Sequence, residues 1–179
     1  MPDKSDIAAI VLAAGASHRF GSDKLLHTIT LHGVKLPLAA HSLLPWLDTF
    51  GHVTVVVRPG AEAFCSAIET ALGAGKSAAI NWVECVDAAQ GMAASLVSGV
   101  RANRDAAGWL IGLADMPAVP AQAIAGVRDA LSAGAAIAAP SRAGRRGHPV
   151  GFSRRYREEL LALQGDTGAR RLLERDRSD

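Results

Sequence analysis

Ile7-Ala8-Ala9-Ile10-Val11-Leu12-Ala13-Ala14-Gly15-Ala16-Ser17-His18-Arg19-Phe20-Gly21-Ser22-Asp23-Lys24 passes from an apolar run into a loop punctuated by two glycines. The run is far shorter than the roughly 20 residues a membrane-spanning helix needs. It is rich in β-branched and small aliphatic residues and stops at a turn signal, so it predicts a buried strand. Lys4 ahead of it and Gly-Ala-Ser behind it imitate a secretory signal, but Asp3 and Asp6 deny that reading its positive start. In the loop, glycines free the backbone to turn N–H groups toward an anion, and Arg19 and Lys24 supply positive charge. The composition therefore reads as a phosphate cradle. It fits neither G-x-x-x-x-G-K-[ST] nor G-x-G-x-x-G, which disfavours P-loop ATPases and dinucleotide enzymes.

Outward from this stretch, further strand-like runs are predicted at 53–57, 78–83, 109–113 and 135–139, beside the first at 7–12. Amphipathic helical spacing lies between them at 37–47, 61–72, 91–103 and 120–133. An antiparallel strand over 147–152 and short helices over 154–163 and 167–175 complete the chain. Such alternation gives right-handed crossovers and an α/β fold, a mostly parallel sheet with helices on both faces. The 179 residues are 49% hydrophobic but only 4% aromatic, so the layers must be joined by small aliphatic side chains at close approach. No repeat or linker interrupts them, and a single domain over 1–179 is expected.

The net charge of +2 is uneven. Residues 1–141 hold 9 basic and 11 acidic side chains, and residues 142–179 hold 10 and 6, which suits an anionic small molecule or simply a solvated helical face. Stacking aromatics are not interleaved with these arginines beyond Phe152 and Tyr156, so no nucleic-acid partner is expected, and no membrane partner either. Cys65 and Cys85 stand apart without metal-ligand spacing and read as reduced core residues of a cytoplasmic protein.

In an open sheet of this kind ligands bind beyond the carboxyl ends of the strands, which selects the loops after 12, 57, 83 and 113. Asp115 follows the fourth run in Leu113-Ala114-Asp115-Met116-Pro117. One carboxylate at that edge suits Mg²⁺, which takes one or two carboxylates and completes its shell with water and phosphate; the alternative is an Asp capping the turn before Pro117. Gln90-Gly91-Met92-Ala93-Ala94-Ser95-Leu96 opens a helix with free N–H groups at the same edge, as a ligand contact or as plain capping.

The pattern L-A-A-G-x-S-x-R-x-G-x-x-K over 12–24 resembles the signature of the MobA-like NTP transferase family. The 90–96 and 113–117 segments, Arg146-Gly147-His148-Pro149-Val150 and Gly165-Asp166-Thr167-Gly168-Ala169-Arg170 resemble its later motifs, in order. The resemblance is closest to the molybdenum cofactor cytidylyltransferase (MocA-like) branch. It implies a Rossmann-like three-layer α/β/α fold and transfer of CMP from CTP to the terminal phosphate of molybdopterin, with Mg²⁺ as cofactor. It further implies nucleotide contacts from Leu12, Ala13, Ala14, Gly15, Ser17, Arg19, Lys24, Gly91, Met92 and Ser95. Arg19, Lys24 and Asp115 would serve catalysis, Asp115 as the metal ligand. Arg146, Gly147, His148, Pro149, Asp166 and Arg170 would line the acceptor. Guanylyltransferase relatives usually have Gly where Ala14 stands, which favours CTP over GTP.

The implied acceptor needs no strong base, because a phosphomonoester is largely dianionic at pH 7. Positioning and electrostatics then carry the reaction, in keeping with the lack of any Ser-His-Asp or Cys-His arrangement. A molybdenum hydroxylase or its chaperone is the implied recipient. Members of the family usually continue into a D-x-D-T-P-like segment, and this chain stops at Asp179 without it, so either it is truncated or this member does without. A guanylyltransferase, a sugar- or cofactor-phosphate nucleotidyltransferase of the same fold, and a non-catalytic molybdenum-cofactor carrier are the rival readings.

Overall fold

The computed structural model describes residues 7–15, 24–165 and 169–176. In chain order the elements are β1 (Ile7–Leu12), β2 (Thr28–Leu31), β3 (Val34–Pro37), α1 (Leu38–Thr49), β4 (Val53–Val57), α2 (Glu62–Leu72), α3 (Ala74–Ser77), β5 (Ile80–Glu84), α4 (Met92–Ala102), β6 (Gly108–Leu113) and α5 (Ala121–Ser132). Then follow β7 (Ile137–Ala138), β8 (Ser141–Arg142), β9 (Arg145–Arg146), β10 (Val150–Ser153), α6 (Arg157–Leu161) and α7 (Arg170–Arg175). Six strands form one sheet in the order β5-β4-β1-β6-β10-β7. β5, β4, β1 and β6 are parallel, and β10 runs antiparallel to both β6 and β7. The chain is therefore a mostly parallel α/β sheet with helices on both faces, as the alternation predicts.

Strand alternation sorts the core. Ala9 and Val11 of β1, Val53, Val55 and Val57 of β4 and Leu110 of β6 face α1, α2 and α5. Ala8, Ile10 and Leu12, Val56, Trp109 and Ile111 face α4, α6 and α7. A period of two on a sheet buried on both faces produces the continuous apolar run with which β1 begins.

Close approach is set at two glycines. A Cβ on Gly112 of β6 would lie 2.1 Å from Cζ2 of Trp46, so this glycine seats the indole of α1 against the sheet. A Cβ on Gly99 of α4 would lie 2.6 Å from Cγ2 of Ile10, which brings α4 onto β1. The far end of α4 is pinned by Asn103, whose Nδ2 donates to Thr54 Oγ1 at 3.0 Å and whose carbonyl accepts from Trp109 Nε1 at 2.9 Å.

Several boundaries differ from expectation. The run at 78–83 becomes a strand only from Ile80, because residues 78–79 close α3. Only Ile137–Ala138 of 135–139 pairs, as β7 sits at the sheet edge and bonds β10 alone. The helix expected at 154–163 is a 3-10 turn followed by α6, and α7 begins at Arg170. Cys65 is only partly buried, whereas Cys85 is fully so; both are free thiols. No helix among the described residues is long and apolar enough to cross a membrane.

Candidate active site

Strand order reverses at β1: the chain moves from β1 outward to β4 and β5, then returns to the other side with β6. The carboxyl ends of β1 and β6 therefore lie side by side at the switch point, Leu12 opposite Leu113. Pairing continues past both strands. Ala13 N donates to Val56 O at 2.8 Å, and Ala114 N donates to Leu12 O at 3.0 Å. The first loop is thus seated between two neighbours before it leaves the sheet. Leu12, Ala13 and Ala14 are buried with their side chains in the core, so only their backbone can face a ligand, while Gly15 is exposed.

Asp115 follows β6 at the switch point, held by the buried Ala114 before it. Lys24, 91 residues earlier, starts a 3-10 turn anchored by buried Leu25 and donates from Nζ to Asp115 Oδ2 at 3.1 Å. Both side chains are about two-fifths exposed, at 38% and 41%, so the pair sits at the mouth of the site and not in the core. In such a setting the ion pair itself contributes little to stability. What it fixes is a cation and a carboxylate within reach of the same ligand atoms.

His148 enters from the other side, on the segment between β9 and β10. Burial pushes its imidazole below the ordinary value, and the nearby Asp115 carboxylate partly opposes that shift. Its Nδ1 is buried without a hydrogen-bond partner. Pro149 behind it is buried, whereas Gly147 is exposed and donates its N–H to Pro140 O at 2.8 Å.

At the third loop, Gly91 takes φ +112° as the residue before α4, a backbone that favours glycine. Met92 is 48% exposed at the helix start, while Ser95 is buried. Ala93 N donates to Gly165 O at 3.1 Å, so the fifth motif docks on the opening turn of the second. Arg146 donates from Nη1 to Leu173 O at 3.1 Å, which ties the fourth motif to α7. Arg170 lies on the open side of α7 and pairs with Glu174 at 2.7 Å. Ser17, Arg19 and Asp166 lie outside the described residues.

A family model, the MobA-like NTP transferase domain, matches residues 9–179. The chain belongs to this family. Among solved structures, this MobA-like NTP transferase is similar to Rv0371c from Mycobacterium tuberculosis H37Rv, with 27% identity and a TM-score of 0.76 over 98% of this chain and 86% of that one. It is also similar to the manganese complex of Rv0371c, with 27% identity and a TM-score of 0.70 over 98% and 85%. The 4-diphosphocytidyl-2C-methyl-D-erythritol synthase from Anaerococcus prevotii DSM 20548 shares the fold, with 16% identity and a TM-score of 0.65 over 96% and 82%. No curated protein matches the sequence.

The MobA-like transferase carries one feature that motif reading passed over. Arg58 follows β4 at the same carboxyl edge and lines a cavity of about 160 Å³ with Ala13, Val57 and Phe64. An arginine directly after the run Val-Thr-Val-Val-Val is its sequence signal, of the same kind as Asp115 after the run that ends at Leu113. Among the described residues no three His, Cys, Asp or Glu side chains form a metal cage. The partly exposed carboxylate of Asp115, which pairs with Lys24 through Oδ2, fits a hard divalent cation that shares its shell with phosphate oxygens.

Proposed function

We propose that this transferase moves CMP from CTP to the terminal phosphate of molybdopterin, releasing pyrophosphate and molybdopterin cytosine dinucleotide. The observation that carries the reading is the Lys24–Asp115 pair at the switch point, with the first loop on one side and His148 on the other. It gives one place where a triphosphate, a cation and an acceptor can meet.

The backbone of residues 13–15 and the opening of α4 would hold the nucleoside and α-phosphate, and Lys24 with Arg19 would take the β- and γ-phosphates. An acceptor phosphate oxygen attacks the α-phosphorus, forming a new P–O–P bond. The bond from that phosphorus to the bridging oxygen breaks, and its electron pair leaves with pyrophosphate. Asp115 would hold Mg²⁺, which supplies charge neutralisation at the reacting phosphates. As negative charge moves onto the leaving group, the Lys24 ammonium is attracted more strongly to it than in the ground state, which lowers the barrier. The imidazole of His148, whose proton affinity burial lowers, would orient the acceptor without needing to take a proton from it. Preference for CTP rests on the resemblance at Ala14, where guanylyltransferase relatives usually have Gly; its methyl group is buried in the core and would act on the base only through the path of the loop backbone. The product would pass to a molybdenum hydroxylase or its chaperone in the cytoplasm.

Incubation with molybdopterin, Mg²⁺ and each ribonucleoside triphosphate, following pyrophosphate, tests this. Release with CTP at least about 100-fold faster than with GTP is expected, a ratio worth roughly 2.7 kcal/mol. Use of GTP alone overturns the base assignment, and turnover with sugar phosphates but not molybdopterin overturns the acceptor.

A further inference from the structure

β7 closes one side of the six-stranded sheet, and among the described residues its outer edge carries no further strand. Ser153 N donates to Ala136 O at 2.9 Å, and the register sets Gly151 opposite Ala138 and Phe152 opposite Ile137. Bonded and non-bonded pairs alternate along an antiparallel ladder. Ile137 therefore holds the non-bonded position, and its N–H and carbonyl point away from β10. No backbone hydrogen bond among the described residues takes either group on that side.

Sheets usually blunt such an edge with lysine, proline or a bulge, because unpaired edge groups recruit another strand. Here Ala135-Ala136-Ile137-Ala138-Ala139 carries no charge and no proline, and all five residues are partly exposed. The edge opens into a cleft of about 520 Å³ bounded by residues 135–139, the β8–β9 hairpin and Leu173 of α7. A paired strand lies about 4.8 Å from its neighbour, so a segment bonded to β7 would run along this cleft.

The walls of the cleft are cationic. Arg142, Arg145 and Arg146 stand exposed on the hairpin, and no acidic residue occurs from Ser141 to Arg157. Arg146 lies at the Pro140 end, where Gly147 N bonds Pro140 O, and Arg155 lies at the other end, two residues past the partner of Ala136. Asp176 is the one carboxylate among the lining residues, and Arg175 already pairs with it. Each guanidinium carries five N–H donors, and the described contacts of Arg146 and of Arg155 within the protein use one apiece.

Main-chain bonds to an open edge, with alternate side chains meeting the rim, are how sheet proteins take up extended peptides. A nucleic-acid strand has no ladder of amides to offer Ile137. A second copy of this chain brings the wrong charge: β7 paired with its own copy about a two-fold axis would set Arg146 of each against Arg155 of the other, and like charges face to face are destabilising. We infer that the outer edge of β7 is a docking strand for an extended acidic segment of a partner protein. The segment bonds Ile137 through its backbone and the arginines through its carboxylates. The inference needs nothing from the nucleotidyl-transfer reading.

The probe is the peptide Glu-Val-Glu-Val-Glu with fluorescein at its N-terminus and an amide at its C-terminus. Its comparison arms are Lys-Val-Lys-Val-Lys, the backbone-N-methylated acidic peptide and a labelled oligothymidylate. Binding to the full chain is read by fluorescence polarisation and by the amide resonances of isotope-labelled protein. The acidic peptide should bind at least about 10-fold more tightly than either peptide arm, and the Ile137 amide should shift on binding. Ile137→Pro removes the outward donor and leaves the bonds to β10 in place; Arg142→Glu with Arg145→Glu reverses charge at two exposed positions. Each should weaken binding at least about 10-fold, and the charge-reversed protein decides the matter if circular dichroism shows that Ile137→Pro does not fold. No saturable binding, equal affinity for the lysine or N-methylated peptide, or unchanged affinity in the folded variants overturns the proposal. Tighter binding of oligothymidylate, lost on charge reversal, overturns it in favour of a nucleic acid. Self-association in analytical ultracentrifugation that Ile137→Pro abolishes overturns it in favour of a second copy.

Discussion

The two sides of the site are built by different physics. At the switch point, β1, β4 and β6 hold residues 13–15 and Asp115 through parallel pairing and two dry faces, with Ile10, Val11, Val53, Val55 and Leu110 all fully buried. At the β10–β7 edge, β7 offers two paired residues, and α6 and α7 are one or two turns long. There, polar pins supplement the packing: Arg146 on the Leu173 carbonyl, Tyr156 on Asp176, Arg175 bridging Asp176 and Glu159. Exposed pairs of that kind contribute little each. The contrast teaches that the switch point is held in a rigid frame, while the β10–β7 edge is assembled from many weak contacts, so substitutions there should cost little stability.

The sharpest way to break this comparison is at Asp115. Asp115→Asn keeps the shape of the loop but removes the charge that Lys24 and a divalent cation share. Transfer should fall about 1,000-fold, equivalent to roughly 4 kcal/mol of barrier, with melting temperature unchanged. A loss below 10-fold would place the chemistry elsewhere.

Next in size is the frame itself. Gly112→Ala would drive a methyl group to 2.1 Å from Trp46, and overpacking of this kind costs about 1–3 kcal/mol. Chemical denaturation should report that loss. A neutral result would mean that α1 slides freely over β6 and that the switch-point side is no stiffer than the β10–β7 edge.

Tyr156→Phe probes the β10–β7 edge by deleting one hydroxyl that accepts from Arg155 and donates to Asp176. Stability should drop by only about 1 kcal/mol, with CTP affinity intact. An equal loss in CTP affinity would show that the two sides are coupled more tightly than their contacts indicate.

The smallest effect is a slope. His148 is held below its ordinary pKa by burial, so the unfolded chain takes up a proton more readily than the folded one. Stability contributed by the neutral imidazole is complete above the unfolded value of about 6.5 and is lost as the pH falls through it. His148→Gln should flatten the fall in urea midpoint between pH 7 and pH 5. Identical slopes in the two proteins would remove the assigned burial.

Much of this was legible in the residue order. The run of residues 7–12 had to be a strand buried on both faces, Asp115 stood out as a carboxylate directly after an apolar run, Lys24 as a cation in the glycine-punctuated loop after the first run, and His148 through the resemblance of its motif. The β2–β3 hairpin was not foreseen, since its pattern is only half-buried and His32, at φ 52°, closes the turn without the usual Asn-Gly signal. Arg155 and Tyr156 gave no motif signal either, because they matter through what lies opposite them.

Local chemistry thus determined the elements, their alternation and the family to which the chain belongs, because strand period, turn residues and motif spacing act over a few neighbours. Only the tertiary structure decided that Lys24 meets Asp115 across 91 residues, that Gly165 caps the turn opened by Gly91, and that Arg146 and Arg155 face one cleft. Those meetings depend on the order in which strands pair, and pairing order is a property of the whole packed sheet that no local stretch encodes.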